Sequence, residues 1–495
     1  MARRSTLALA RERLDGGREA LVTAGLDVVR AALLDRPAWL VGGAVRDGLL
    51  GRPTADVDVV VDGDPAEAAR AVARAGGRAA CFALSEDFGS WRVVARDRSW
   101  QVDVEPLRGA TLDEDLALRD FTVNAIAQEI AGGPPIDPLG GLADLSARRL
   151  RMAGPRAFVE DPLRVLRLVR VAVELGLEPD SATMRAAAAE TSGLRDVSAE
   201  RVFVELRRTI AAPRARHGLE MMGELGAGAV ALPELEALRG VDQNRFHHLD
   251  VYGHTLEVFD RTVELTGGAG HMPHQMEKTI DGEHAAVGAL LAEPLADEMT
   301  RGEALRWGAL LHDAAKPLTR EVRPLDGRVT FLGHDVRGAE LARAVLERLR
   351  ASERLRAHVS ALVRHHLRLG FLVHEPQPLS RRTVFAYLRT CSPVEADVTL
   401  LSMADRLATR GDRAREAIGA HMRLARGVLG DALLWHEQGP PRPLLRGDEL
   451  ASELAIAAGP RIGDLLERLA EAQYAGEIAT RAEALAYAHE LEQNI

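Results

Sequence analysis

Short alternating runs of apolar and polar residues dominate the first third of the chain, and apolar residues at helical spacing dominate the rest. Trp39-Leu40-Val41 reads as the end of a buried strand, and Gly42-Gly43 as the turn after it. Ala44 to Leu50 follows as one or two helical turns, and Asp56-Val-Asp-Val-Val-Val as a second strand. Pro65 to Ala75 has the spacing of an amphipathic helix; Phe88 to Ala95 and Trp100 to Glu105 read as two more strands. Helical spacing then runs to the end, broken by the linker Gly439-Pro-Pro-Arg-Pro. The pattern predicts an α+β protein: a helical extension over 1–35, a mixed head over 36–150, a helical neck over 151–240, a helical body over 241–437 and a helical tail over 438–495. Residues 267–302 read as an insert in the body, a surface loop carrying a helix.

Composition narrows the picture. The 495 residues carry a net charge of −10, so any contact with RNA must come from local arginine-rich surfaces. Two cysteines, Cys81 and Cys391, argue against a disulfide framework or a cysteine zinc site and suit the cytoplasm. No apolar run approaches the roughly 18 residues of a membrane span, so no membrane partner is expected.

The chemistry concentrates at the first turn. Two glycines before a helix leave backbone N–H groups open to an anion, and Arg46 adds a planar donor for phosphate. Asp56 and Asp58 project from one face of their strand, where carboxylates side by side call for a hard divalent cation such as Mg²⁺. A phosphate cradle followed by a carboxylate pair fits nucleotidyl transfer. Asp103 and Glu105 share a face of the later strand, and one of them is the candidate third acid.

These residues closely resemble the class II tRNA nucleotidyltransferase and bacterial poly(A) polymerase family, from about residue 36 to the end outside the insert. The resemblance implies an α+β nucleotidyltransferase head with a small mixed β-sheet, then an all-α neck, HD body and tail, the tail with possible RNA contacts at Arg446 and Arg461. It favours Asp103, five residues before Arg108, as the third acid beside Asp56 and Asp58. Leu116-Ala-Leu-Arg-Asp-Phe-Thr-Val-Asn-Ala resembles the second motif, with Leu118 in place of its first arginine. The implied roles are nucleotide contact for Arg119 and a ribose hydroxyl for Asp120, with Gly43 and Arg46 on the triphosphate. Asp137-Pro-Leu-Gly-Gly-Leu-Ala-Asp-Leu resembles a third motif, a hinge. In Glu160-Asp-Pro-Leu-Arg-Val-Leu-Arg-Leu-Val-Arg, Asp161 and Arg164 are implied to read the base edge of CTP or ATP, supported by Arg167 and Arg170. Family members usually carry a long flexible loop before the second motif, tied to adding the terminal A; Leu107 to Leu116 leaves it almost no room, as in enzymes that stop at CC.

A second constellation lies in the body. His254, His312-Asp313 and Asp405 follow the His…His-Asp…Asp order of the HD phosphohydrolase superfamily, and His334, His365 and His366 are candidates for a second metal position. Imidazole with carboxylate suits Mn²⁺, Ni²⁺, Fe²⁺, Co²⁺ or Zn²⁺. The histidines of the insert, His271, His274 and His284, are not expected to bind metal. The expected reaction is transfer of CMP or AMP from CTP or ATP to the 3′ end of tRNA with Mg²⁺, releasing pyrophosphate. The alternatives are a poly(A) polymerase, and an HD phosphohydrolase whose head only binds RNA.

Overall fold

A computed structural model describes residues 24–52, 56–85, 89–243, 249–267, 274–409, 414–457 and 459–493. The chain divides into two compact units, Met1–Val197 with Glu224–Val230, and Ser198–Gly223 with Ala231–Ile495.

The first unit is built on a six-stranded sheet. Its strands are β1 (Ala38–Val41), β2 (Asp56–Val61), β3 (Ala80–Ser85), β4 (Ser90–Val94), β5 (Gln101–Pro106) and β6 (Ala127–Glu129), in the order β3-β4-β5-β2-β1-β6. Only β2 and β5 run parallel; the other neighbours are antiparallel, so the sheet is mixed as expected. The sequence pattern did not resolve β3 and β6.

Helices Ala24–Leu33 and Pro65–Ala75 cover one face of the sheet. The first packs so closely that a Cβ on Gly25 would lie 3.2 Å from Trp100 Cβ and 3.4 Å from a Val57 methyl. The second starts at an Asp64 cap with Pro65 in its first turn. On the opposite face, Val41, Val60, Leu116, Ala125 and Ala127 form a buried cluster. Asp58 lies on that same face, beyond the cluster.

The helix Arg164–Leu175 ends at Gly176 in the left-handed conformation (φ 66°) and buries Val165, Leu166, Leu168, Val169, Val171 and Ala172. Its arginines are no solvated row: Arg164 and Arg170 are buried too. The wholly helical reading of 151–240 needs one small amendment, a two-residue parallel pairing of Arg149–Leu150 with Glu178–Pro179.

The second unit is helical apart from two short hairpins, Pro294–Ala296 with Met299–Thr300 and Glu321–Val322 with Val329–Thr330. Its central helix, Arg301–Leu311, is buried along its whole length and starts at a Thr300–Glu303 capping box. Helices Val251–Thr266, Glu353–His365 and Glu395–Ala408 pack on it. Gly308 permits the closest approach, since a Cβ there would sit 2.7 Å from Leu362 Cδ1. The described part of the insert carries two helices that bury apolar side chains. Helices His274–Thr279 and His284–Ala292 bury Met276, Ile280, Val287, Leu290 and Leu291, and pack on helices Ala414–Gln438 and Arg301–Leu311 respectively. His271 lies outside the described residues. The tail has its own core, centred on Leu450, Leu465, Leu469 and Ala484. No described helix is long and apolar enough to cross a membrane.

Candidate active site

The head places its acids by strand register. Asp58 on β2 stands opposite Asp103 on β5, whereas Glu105 stands opposite Val60 and pairs with Arg108 at 3.0 Å. Register therefore brings Asp103, not Glu105, beside Asp58. Asp56 is exposed at the start of β2. Burial, with Asp103 adding to it against Arg119, pushes Asp58 up to about 7. Carboxylates are the oxygen ligands a divalent cation takes, and Arg92 holds both oxygens of Asp103 at 2.7 Å in this structure.

Gly42 has φ 68°, and a Cβ there would lie 3.1 Å from Asp58 Oδ2 and 3.4 Å from Arg119 Nη1. Gly43 opens the helix Gly43–Leu49. Arg46 differs from a free phosphate donor: it is buried, its Nε and Nη2 donate to Asp47 at 3.0 and 2.9 Å, and its Nη1 donates to Asn124. Arg46 thus ties the first motif to the second.

Arg119 donates through Nε and Nη2 to Asp115 Oδ2 at 3.2 and 3.1 Å. Asp115 is fully buried and also accepts from the Arg108 N–H. Sequence reasoning missed it, although its place four residues before Arg119 was a signal. Asp120 Oδ1 accepts from the Phe121 N–H at 2.7 Å and from Asn124 Nδ2 at 2.9 Å; Oδ2 accepts from Arg167 at 3.4 Å. Burial alone would raise its pKa, but Arg167, Asn124 and Arg164 outweigh burial and lower it.

Asp161 Oδ1 accepts from the Leu163 N–H at 3.2 Å. Arg164 donates to the carbonyls of Leu118 at 2.9 Å, Ala157 at 3.1 Å and Arg119 at 3.4 Å, while its buried Nε has no hydrogen-bond partner. It carries the second motif on its guanidinium. Arg170 pairs with Glu174 at 2.9 Å. In the third motif, Asp137 accepts from the N–H groups of Gly141 and Leu142, and fully buried Asp144 accepts from Thr122 Oγ1 at 2.6 Å.

In the second unit, the backbone just before each imidazole aims it. Nδ1 of His312, His334 and His366 lies 2.8, 2.7 and 2.7 Å from the carbonyl three residues earlier, which leaves Nε2 for a ligand. Two groups result, His254 with His312 and Asp405, and Asp313 with His334 and His366, each with its ligand atoms within 4.8 Å of one another. His365 belongs to neither group. Nε2 of His312 is buried 3.2 Å from Asp313 Oδ2, between the two groups. Burial pushes His366 down to about 4, with His312 and His334 adding to it, so it is neutral and fit to ligate. Burial would raise Asp313, but His312 and Lys316 hold it well below the carboxylate range. Lys316 Nζ lies 2.6 Å from Asp313 and donates to Gln243 at 2.7 Å. Lys316, Arg328, Phe331, Phe371 and Arg406 line the cleft above the two groups.

A nucleotide-transferring head joined to an HD body is the class of protein these features define. Residues 38–151 match the poly A polymerase head domain, 176–238 the probable RNA and SrmB- binding site of polymerase A, and 251–410 the HD domain. An A-adding tRNA nucleotidyltransferase of Deinococcus radiodurans is 38% identical, covering 91% of this chain and 94% of the relative. A CC-adding tRNA nucleotidyltransferase of Thermus thermophilus is 36% identical, covering 91% and 93%. The fold matches the Thermotoga maritima CCA-adding enzyme complexed with tRNA at a TM-score of 0.60 and 18% identity, over 98% of both chains. The chain belongs to the tRNA nucleotidyltransferase family. Members with these two domains use divalent metals.

Proposed function

We propose that this protein transfers CMP from CTP to the 3′ end of tRNA and stops at CC, in the cytoplasm. The observation that carries the chemistry is the placing of Asp58 opposite Asp103, beside Gly42 and Arg119. Asp56, Asp58 and Asp103 would hold Mg²⁺, which would supply charge neutralisation for the 3′-hydroxyl and the leaving pyrophosphate. Arg119, fixed by Asp115, and the Gly43 turn receive the triphosphate; Arg46 keeps that turn in place. Asp120 accepts from the ribose 2′-hydroxyl. Asp161 accepts from the exocyclic amine of the base, and Arg164 donates to its ring edge. The CC product is supported by the short link between β5 and the helix Leu112–Ala117, the five residues Leu107–Thr111, which leaves no room for the long loop tied in the family to adding A.

The test is incorporation into three synthetic tRNAs, ending at the discriminator base, at C and at CC, with Mg²⁺ and CTP, ATP or both. The expected products are CC on the first, one C on the second and nothing on the third. Addition of A to the CC end overturns the product, and full transfer by Asp58→Ala overturns the site.

The two metal groups favour a second activity. His254, His312 and Asp405, with Asp313, His334 and His366, would hold a transition metal pair such as Mn²⁺ or Ni²⁺, which would supply Lewis-acid chemistry for phosphoester hydrolysis. Lys316 meets the phosphate. Hydrolysis of p-nitrophenyl phosphate with Mn²⁺ or Ni²⁺, lost in His312→Ala, checks it; no hydrolysis with any of these metals overturns it.

A further inference from the structure

The open face of the head sheet does not end at the acids. One row crosses four strands in register: Asp58 on β2, Asp103 on β5, Arg92 on β4 and Phe82 on β3. Residues opposite one another on neighbouring strands share a face, so these four side chains project together. Arg92 Nε and Nη2 both donate to Asp103, each at 2.7 Å, and no further bond engages Nη1 among the described residues. Phe82 is 46% exposed, as is Leu84 two residues on. The helix-covered side of the same strands is filled differently: Trp91, next to Arg92, lies under Arg70 of the helix Pro65–Ala75. In a chain with only 4% aromatic residues, a phenyl ring standing open on the side of the acids calls for an occupant.

We propose that this strip seats the 3′ end of the acceptor RNA, with Arg92 on the phosphate behind the reacting hydroxyl and Phe82 stacked against a terminal base. The proposal rests on the transferase reading above. The row fixes the direction. On the β1 side of Asp58 stand Gly42 and Arg119, where the incoming triphosphate is received. The acceptor must approach from the other side, over β5, β4 and β3. Strands lie about 4.8 Å apart, so Arg92 stands about 5 Å and Phe82 about 10 Å from the Asp103 position. A cation followed by an aromatic ring matches the order phosphate, then base, of a single-stranded RNA end. Arg92 and Phe82 are positioning residues; neither touches the reacting atoms.

The experiment is steady-state CMP incorporation into a tRNA ending at the discriminator base, with wild type, Phe82→Ala, Phe82→Trp and Arg92→Gln. Phe82→Ala is expected to raise KM for tRNA roughly tenfold or more, the usual loss when a base loses its aromatic platform. KM for CTP and kcat at saturating tRNA stay within about twofold, and Phe82→Trp restores the tRNA KM. Arg92→Gln raises the tRNA KM and flattens its salt dependence, as loss of a phosphate contact does. An unchanged tRNA KM in Phe82→Ala, an equal rise in the CTP KM, or no rescue by tryptophan overturns the strip while leaving the transferase reading intact. A wild type inactive on every acceptor fails that reading instead, and the strip with it.

Discussion

His254 Nε2 lies 3.0 Å from Asp405 Oδ1, which joins two helices 151 residues apart in the chain. The imidazole is almost completely buried, so it has little water to fall back on when this partner is removed. Asp405→Ala and His254→Ala are each expected to lower Mn²⁺ retention and p-nitrophenyl phosphate hydrolysis by more than about 100-fold. CMP incorporation should be unchanged. Metal content after dialysis, measured with both activities on the same preparations, checks this.

Asp161 and Arg164 should fail differently. Asp161→Ala removes an acceptor for the base, so discrimination between CTP and UTP should fall about 10- to 100-fold. Arg164→Ala also releases the carbonyls of Leu118, Arg119 and Ala157, so it should lower kcat for every nucleotide. Competition assays with mixed CTP and UTP separate a loss of selectivity from a loss of rate.

Gly141 has no room for a side chain. A Cβ there would sit 2.1 Å from the Thr122 carbonyl oxygen, two residues after Asp120. Gly141→Ala must push the second motif aside, and a destabilisation of about 1–3 kcal/mol is expected. Urea unfolding followed by tryptophan fluorescence measures it, and transfer should fall in step.

His358 carries a pH dependence. Burial pulls it from 6.5 to about 4, with Arg301, Arg354 and His436 adding to burial against Asp397, which lies 3.8 Å away. The folded protein holds His358 neutral, while the unfolded chain takes up a proton near pH 6.5. Its contribution is complete above that value and erodes as pH falls toward 4. By pH 5 the loss is about 2 kcal/mol. Unfolding of wild type and His358→Leu at pH 7.5 and 5.0 checks the sign: the variant should show the smaller acid loss.

Local pattern made the site half legible. Period-two alternation put Asp56 and Asp58 on one face, and the glycine pair marked the turn beside them. Strand order is not a local property. The pairing of Arg92 with Asp103 needs β4 beside β5, and nothing in Ser90–Val94 names its neighbour. The bonds of Arg46 to Asn124 and of Arg164 to Leu118 likewise join segments 78 and 46 residues apart. The packing of the insert's helices was not legible for a related reason: the partners that bury Leu290 and Met276 lie elsewhere in the chain.

The three imidazoles that each point Nδ1 at the carbonyl three residues earlier have one more consequence. Their aim depends on the backbone just behind them and not on whatever ion arrives. Such a nest is cast before it is filled. On the reading that the body is a phosphohydrolase, one metal would replace another there without refolding, and its chemistry would follow the supply of metals around it.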